Sequence, residues 1–229
     1  TTADETKSSL TIKNVNLKGG IARDGMNNIP VAVSGGTFSQ EVDNEFIAEN
    51  YKLVKNADGT FGIADAFVAQ VGTEKYYSLA DAFANAENGA VVTLLDDCAV
   101  DAFIRVDGGR AITLDLNNFD ISFGLDSYFV IQDSKLDITG KGTLAEEFPK
   151  FGPVVMAGTD ADVADYSVLN VGKDVTLEGW SPVFITNTKN NSNQSTNYGI
   201  VVNVKGTLVA KDRIGGGAGG GIYVNGLFT

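Results

Sequence analysis

Acid–base chemistry on a sugar needs two carboxylates, or a carboxylate and an arginine, within reach of one bound substrate. The stretch that offers such groups is short: Asp96-Asp97, Asp101 and Arg105, with Arg110 just beyond. Neighbouring residues of a strand point to opposite faces, so Asp96 and Asp97 share a groove only where the chain turns. The 229 residues include no histidine, which removes the commonest general acid or base. No catalytic set is assigned on these grounds. Asp160, Asp162 and Asp165 place hard oxygen ligands at close spacing, the chemistry of a calcium loop. The central glycine and terminal glutamate of the helix-loop-helix calcium pattern are missing, and a solvated acidic loop with Asx turns competes with that reading. No other cofactor is indicated. Tyr166 and Trp180, the latter the sole tryptophan, are candidates for an aromatic platform that stacks a glycan. The competing role is to cover the end of a core.

Other motifs carry less. Cys98 is the only cysteine, so no intrachain disulfide exists, and its neighbours Leu94 and Val100 suit a small core residue better than a nucleophile. Gly215–Gly221 has no Lys-Ser or Lys-Thr after it, so it reads as a turn rather than a phosphate cradle. Asn193-Gln194-Ser195 fits a glycosylation acceptor inside a long polar loop.

The elements that must position these residues come from a repeat. An apolar residue, an Asp or Asn, and a second apolar residue recur as Leu114-Asp115-Leu116, Leu136-Asp137-Ile138, Leu169-Asn170-Val171 and Val202-Asn203-Val204. Each copy is followed by another apolar segment: Tyr128–Ile131, Val154–Met156, Val183–Ile185 and Ile222–Val224. This predicts a coil with two short strands per copy, stacked along an axis. Leu114, Leu136, Leu169 and Val202 should then form one buried column. The longer copies place their surplus in loops at Glu146–Gly152, Thr159–Ser167 and Thr186–Tyr198.

Composition agrees with many short strands: 27 Gly against 4 Pro, with 43% hydrophobic residues. A net charge of −12 disfavours nucleic acid and anionic membranes as partners, and no apolar run is long enough to insert in a bilayer. Ser78 and Asp81 open a short helix over about 78–88, with Leu79, Ala82, Phe83 and Ala86 on one face, suited to close the end of the solenoid core. A boundary precedes it, giving an N-terminal β segment over 1–66 and a parallel solenoid over 67–229. Within the first segment, Tyr51–Val54 and Thr60–Ile63 flank Asp58-Gly59 as a hairpin.

Two groups of residues carry a resemblance. Val33-Ser34-Gly35-Gly36-Thr37-Phe38-Ser39, with Phe46-Ile47-Ala48-Glu49-Asn50-Tyr51 and Asp58-Gly59-Thr60-Phe61, resembles the closing segment of repeat domains in bacterial cell-surface proteins of the pectate-lyase-like right-handed β-helix class. Tyr77-Ser78-Leu79-Ala80-Asp81-Ala82-Phe83, with Gly89 through Leu95 and Ile112 through Asn117, resembles the opening segment of the next such domain. The resemblance implies an all-β, right-handed parallel β-helix in a secreted or surface-anchored bacterial protein, built of several units in series. It specifies architecture rather than activity. The Gly-His, Asn-x-Asp and Arg-x-Lys elements of the enzymatic branch find no clear counterpart here.

The expected function is therefore a non-catalytic extracellular module, a stalk or adhesion domain whose partners are glycans or proteins of a host or cell wall. A polysaccharide lyase or glycosidase, or a glycan-binding module without catalysis, is the alternative. The order of segments further predicts a protein that continues past Thr229, and self-association through the Ile200–Thr229 end.

Overall fold

Strands of alternating apolar and polar residues bury one face, and in this chain the buried faces converge. The computed structural model describes residues 9–22, 29–147, 152–158, 166–187, 199–212 and 220–225. The chain divides into two units, Thr1–Ala66 and Phe67–Thr229. The protein is mostly β, with parallel sheets and one short α-helix.

In the larger unit the chain visits three parallel sheets in a fixed cycle. The first sheet holds Val91–Leu94, Ala111–Asp115, Lys135–Thr139, Tyr166–Val171 and Gly199–Val204. Cys98–Val100, Ile121–Phe123, Gly142–Glu146, Val175–Gly179 and Thr207–Ala210 form the second. Ile104–Val106, Phe129–Gln132, Val154–Gly158, Val183–Asn187 and Ile222–Asn225 form the third. Each circuit thus contributes three strands, not the two expected from sequence. The strands of the second sheet escape notice because most hold only one or two inward apolar residues, among Gly, Thr, Ser, Ala and Glu.

The inward column also differs from expectation. Leu136 pairs with Leu169 and Leu169 with Val202, but the residue that precedes Leu136 is Ile112. Leu114 pairs instead with Ile138. A slip of two residues keeps every side chain on its own face, so a search for the Leu-Asp-Leu pattern cannot detect it. Ile112, Leu114, Leu136, Ile138 and Leu169 are all buried, alongside Phe123, Phe129, Leu144, Met156 and Leu177. Burying each large apolar side chain stabilises the fold by about 1.5–3 kcal/mol relative to exposure.

One end of this core is closed by the helix Leu79–Asn85, shorter than the expected 78–88. The Ser78 hydroxyl accepts from the Asp81 N–H at 3.2 Å, and Leu79, Ala82 and Phe83 turn inward. Phe83 lies 5.0 Å from the ring of Phe129. The neighbouring edge of the first sheet ends in an antiparallel hairpin, Ala69–Val71 with Glu74–Tyr76. In the last circuit Ile222 and Val224 are 46% and 53% exposed, although the residues they pair with, Val183 and Ile185, belong to or pack against the core.

The smaller unit has its own core of Val33, Phe38, Val42 and Phe46. Leu10–Ile12 pairs in parallel with Val31–Val33, and Asn16–Leu17 with Thr37–Phe38. Gly36 has φ +122, and a Cβ there would lie 2.7 Å from the Val15 carbonyl oxygen, so this turn takes only glycine. Tyr51–Lys55 and Phe61–Asp65 form the hairpin read from Asp58-Gly59. The Thr60 hydroxyl, then the Thr60 N–H, hold the Asp58 carboxyl below its ordinary value.

Candidate binding surface

The turns between sheets decide what the acidic residues do. Asp97 accepts from the Asp120 N–H at 2.8 Å, and Asp120 accepts from the Thr143 N–H at 2.7 Å. Two carboxylates thereby satisfy backbone donors one circuit away. Asp96 accepts from the Asp97 N–H, and Asp101 lies against Gly124 in the following turn. Asn117 donates to the Leu94 carbonyl at 3.0 Å, and the Ser127 hydroxyl to that of Val100 at 2.6 Å. Such bonds fix the vertical spacing of the circuits, each contributing about 0.5–1.5 kcal/mol.

Arg110 is similarly committed. Its guanidinium donates to the carbonyls of Phe83 and Ala86 at the end of the helix, and to those of Arg105 and Asp107. A further contact reaches the Asp107 carboxylate at 3.4 Å. Since an arginine has five N–H donors, this one is spent on fastening the lid. Arg105 points outward from the third sheet and pairs with Val130. The residues weighed for acid–base work therefore lie on three turns and the third sheet; Asp97 and Asp101 line one pocket beside Ser78 and Leu79, whereas Arg105 and Arg110 do not line it.

The Asp160, Asp162 and Asp165 loop lies outside the described residues. Among those described, no group of three or more His, Cys, Asp or Glu could hold a metal ion. Tyr166 starts a strand of the first sheet, whereas Trp180 precedes a strand of the third. Trp180 joins an aromatic cluster that sequence reasoning missed: its ring centroid is 5.3 Å from Tyr223 and 6.5 Å from Phe184. Phe184 and Tyr223 stack at 5.0 Å because they occupy paired outward positions in adjacent strands. The signal available was an aromatic residue between two inward apolar ones in both Val183-Phe184-Ile185 and Ile222-Tyr223-Val224.

The outer face of the first sheet carries a row of hydrogen-bonded polar side chains. Leu136, Ile138, Leu169 and Val171 face inward, so alternation turns Asp137 and Asn170 outward, with Thr113 and Asn203 paired above and below them. Asn203 donates to the Asn170 Oδ1 at 2.8 Å, and Asn170 in turn donates to Asp137 Oδ1. Lys135 Nζ reaches the other oxygen of Asp137 at 2.8 Å. Thr113, Asp137, Asn170 and Asn203, with Thr139 and Lys205, line an open groove of about 500 Å³. The central Asp or Asn of the sequence repeat is thus a hydrogen-bonded ladder, a role that its use as a marker of periodicity concealed.

Cys98 is inward and buried, and burial first, then Asp97 and Asp96, push its thiol up to about 12. Because the folded value exceeds the unfolded one of about 8.5, this contribution to stability is full below that pH and is lost as pH rises toward the folded value. The native protein should leave a thiol reagent unreacted at mildly alkaline pH and titrate one thiol on unfolding. Labelling of the native state at the rate of a free cysteine would contradict this burial.

No protein-family model matches the chain, and no curated protein or solved structure matches it.

Proposed function

We propose that this chain is a non-catalytic, extracellular β-solenoid module of a bacterial surface protein, serving as a stalk or adhesion domain. The observation that carries the reading is the use of Asp97, Asp120 and Arg110. These three polar side chains, of a kind that a carbohydrate-active site would draw on, are engaged in backbone hydrogen bonds between circuits and at the lid. In the ladder groove Asp137 is the one carboxylate, and it is held by Lys135 and Asn170. A glycosidase needs a second carboxylate facing it across the scissile bond.

A right-handed winding is part of the proposal. Parallel strands joined through a crossover connect right-handedly in nearly all known cases, and the three-sheet cycle is a succession of such connections. The resemblance of Val33–Phe61 and Tyr77–Asn117 to bacterial surface repeat domains supports the extracellular location.

Incubation with a panel of plant, bacterial and host polysaccharides is expected to release neither unsaturated nor reducing sugars. Release that disappears in Asp97→Ala or Arg105→Ala would overturn the proposal in favour of a lyase or glycosidase.

A further inference from the structure

The larger unit ends in an open circuit, and the smaller unit begins with an open rung. Among the described residues, Gly199–Val204 and Thr207–Ala210 each lie at the edge of their sheet, and so do Leu10–Ile12 and Asn16–Leu17. Val202, Val204 and Leu208 pair with the buried Leu169, Val171 and Leu177, yet are themselves only half-buried. In the smaller unit Leu10 is 51% exposed. Ile12 and Leu17 are half-buried, whereas Val33 and Phe38, with which they pair, are fully buried. Each edge lacks a neighbour on one side, and an open edge of this kind is a template for another chain.

The two units share one turn. Glycine, threonine and an apolar residue recur as Gly142-Thr143-Leu144, Gly206-Thr207-Leu208 and Gly36-Thr37-Phe38. In each, a Cβ on the glycine would strike a carbonyl oxygen of the preceding circuit: that of Phe119 at Gly142, of Val175 at Gly206 and of Val15 at Gly36. Up the larger unit this column therefore reads Phe119, Gly142, Val175, Gly206, a side chain alternating with bare backbone. Val15 followed by Gly36 continues that alternation.

Backbone polarity agrees. Alternate residues of a parallel strand bond to opposite neighbours. In the first sheet the inward residues turn toward the following circuit, since the Ile138 carbonyl accepts from the Gly172 N–H and that of Val171 from the Lys205 N–H. The smaller unit obeys the same rule, because the Ile12 carbonyl accepts from the Ser34 N–H. Val202 and Val204 thus present backbone groups to a following circuit, and Thr11 presents its own to a preceding one. Two like ends meet only about a two-fold axis, which closes at a dimer, whereas unlike ends repeat.

We propose that the last circuit of one molecule takes the first rung of a second molecule as its next circuit, a head-to-tail contact between copies of this chain. Leu10 then covers Val202, Ile12 covers Val204 and Leu17 covers Leu208. The Thr11 N–H donates to the Val202 carbonyl, and the Thr11 carbonyl accepts from the Val204 N–H. Val15 lies over Gly206. Lys13 stands beside Lys205, a like pair that keeps the joint weak. Each molecule in the row leaves one surface of either kind at its ends, so the contact propagates.

The test is sedimentation velocity of the full chain over a concentration series, in which association should grow past the dimer. Thr11→Pro removes an N–H that faces away from Val31–Val33, a position where a strand edge tolerates proline. It should leave thermal unfolding of the dilute protein in place and weaken association about tenfold. Lys13→Glu and Lys205→Glu should each strengthen association about threefold by turning a like pair into an opposite one, although both add to a net charge already at −12. The double variant should return to weak association. This cycle reads the contact even where Thr11→Pro disturbs folding. A monomer at every concentration, growth that stops at a dimer, association unchanged by Thr11→Pro in a folded protein, or a double charge variant that associates more tightly than either single one would each overturn the proposal.

Discussion

Leu136→Ala and Leu169→Ala are each expected to lower the free energy of unfolding by about 2–5 kcal/mol. Both side chains are fully buried and stack on one another in adjacent strands of the first sheet, so truncating either opens a cavity bounded by rungs above and below. The circuit backbone is fixed by parallel ladders on three sides, which limits collapse around the void and favours the upper part of that range. Urea unfolding should show a lower midpoint at an unchanged slope. A loss below about 1 kcal/mol would show that this column is not the core. The register makes a finer distinction: Ile112 with Leu136 should show a larger coupling energy in a double-mutant cycle than Leu114 with Leu136, because Ile112 is the residue in direct register.

That same register separates what the sequence exposes from what it hides. Apolar residues on either side of Asp or Asn mark the first sheet by their alternation, and the continuous apolar runs Val154–Met156, Val183–Ile185 and Ile222–Val224 mark the third. The lid helix is legible from Ser78 and from the Leu79, Ala82, Phe83 stripe, since capping and periodicity are local properties. The second sheet is not legible. Thr143-Leu144-Ala145 and Ser122 between two apolar residues are too short and too mixed to rise above turns, and they become strands because the ladders beside them already fix the spacing.

The candidate surface follows the same division. Asp97 and Arg110 attract attention as titratable groups, yet they bond backbone atoms 23 and 27 residues away, which no local pattern announces. Asp137, Asn170 and Asn203 stand in plain view as the centre of the repeat. Their chemistry emerges only when register places an acceptor-only carboxylate at one end of a row of amides. The Trp180 candidate is legible as an isolated aromatic residue, but its companions Phe184 and Tyr223 depend on the pairing of Val183–Asn187 with Ile222–Asn225.

Glu146→Ala is expected to loosen the surroundings of the sole tryptophan and to cost roughly 2–5 kcal/mol. Glu146 ends the strand Gly142–Glu146 and pairs with Phe123, which puts a carboxylate, only 5% exposed, at an inward position. It accepts from the Gly152 N–H at 2.8 Å and from the Trp180 N–H at 3.3 Å. A Cβ at Gly179 would stand 2.7 Å from the Glu146 carboxylate, and one at Gly152 would run into the Ser181 carbonyl, so both glycines make room for this junction. Removing the carboxylate leaves two donors without their acceptor, at about 1–3 kcal/mol each where they remain buried. Glu146→Gln should be milder but still destabilising, because one of its two positions becomes a donor facing a donor. Tryptophan fluorescence reads the site directly: emission of native Glu146→Ala should shift to the red, as Trp180 loses its backbone anchor beside Phe184 and Tyr223. Leu136→Ala provides the control, since it should lower stability comparably while leaving native emission in place. Native emission and stability both unchanged in Glu146→Ala would show that the buried carboxylate does not hold this turn.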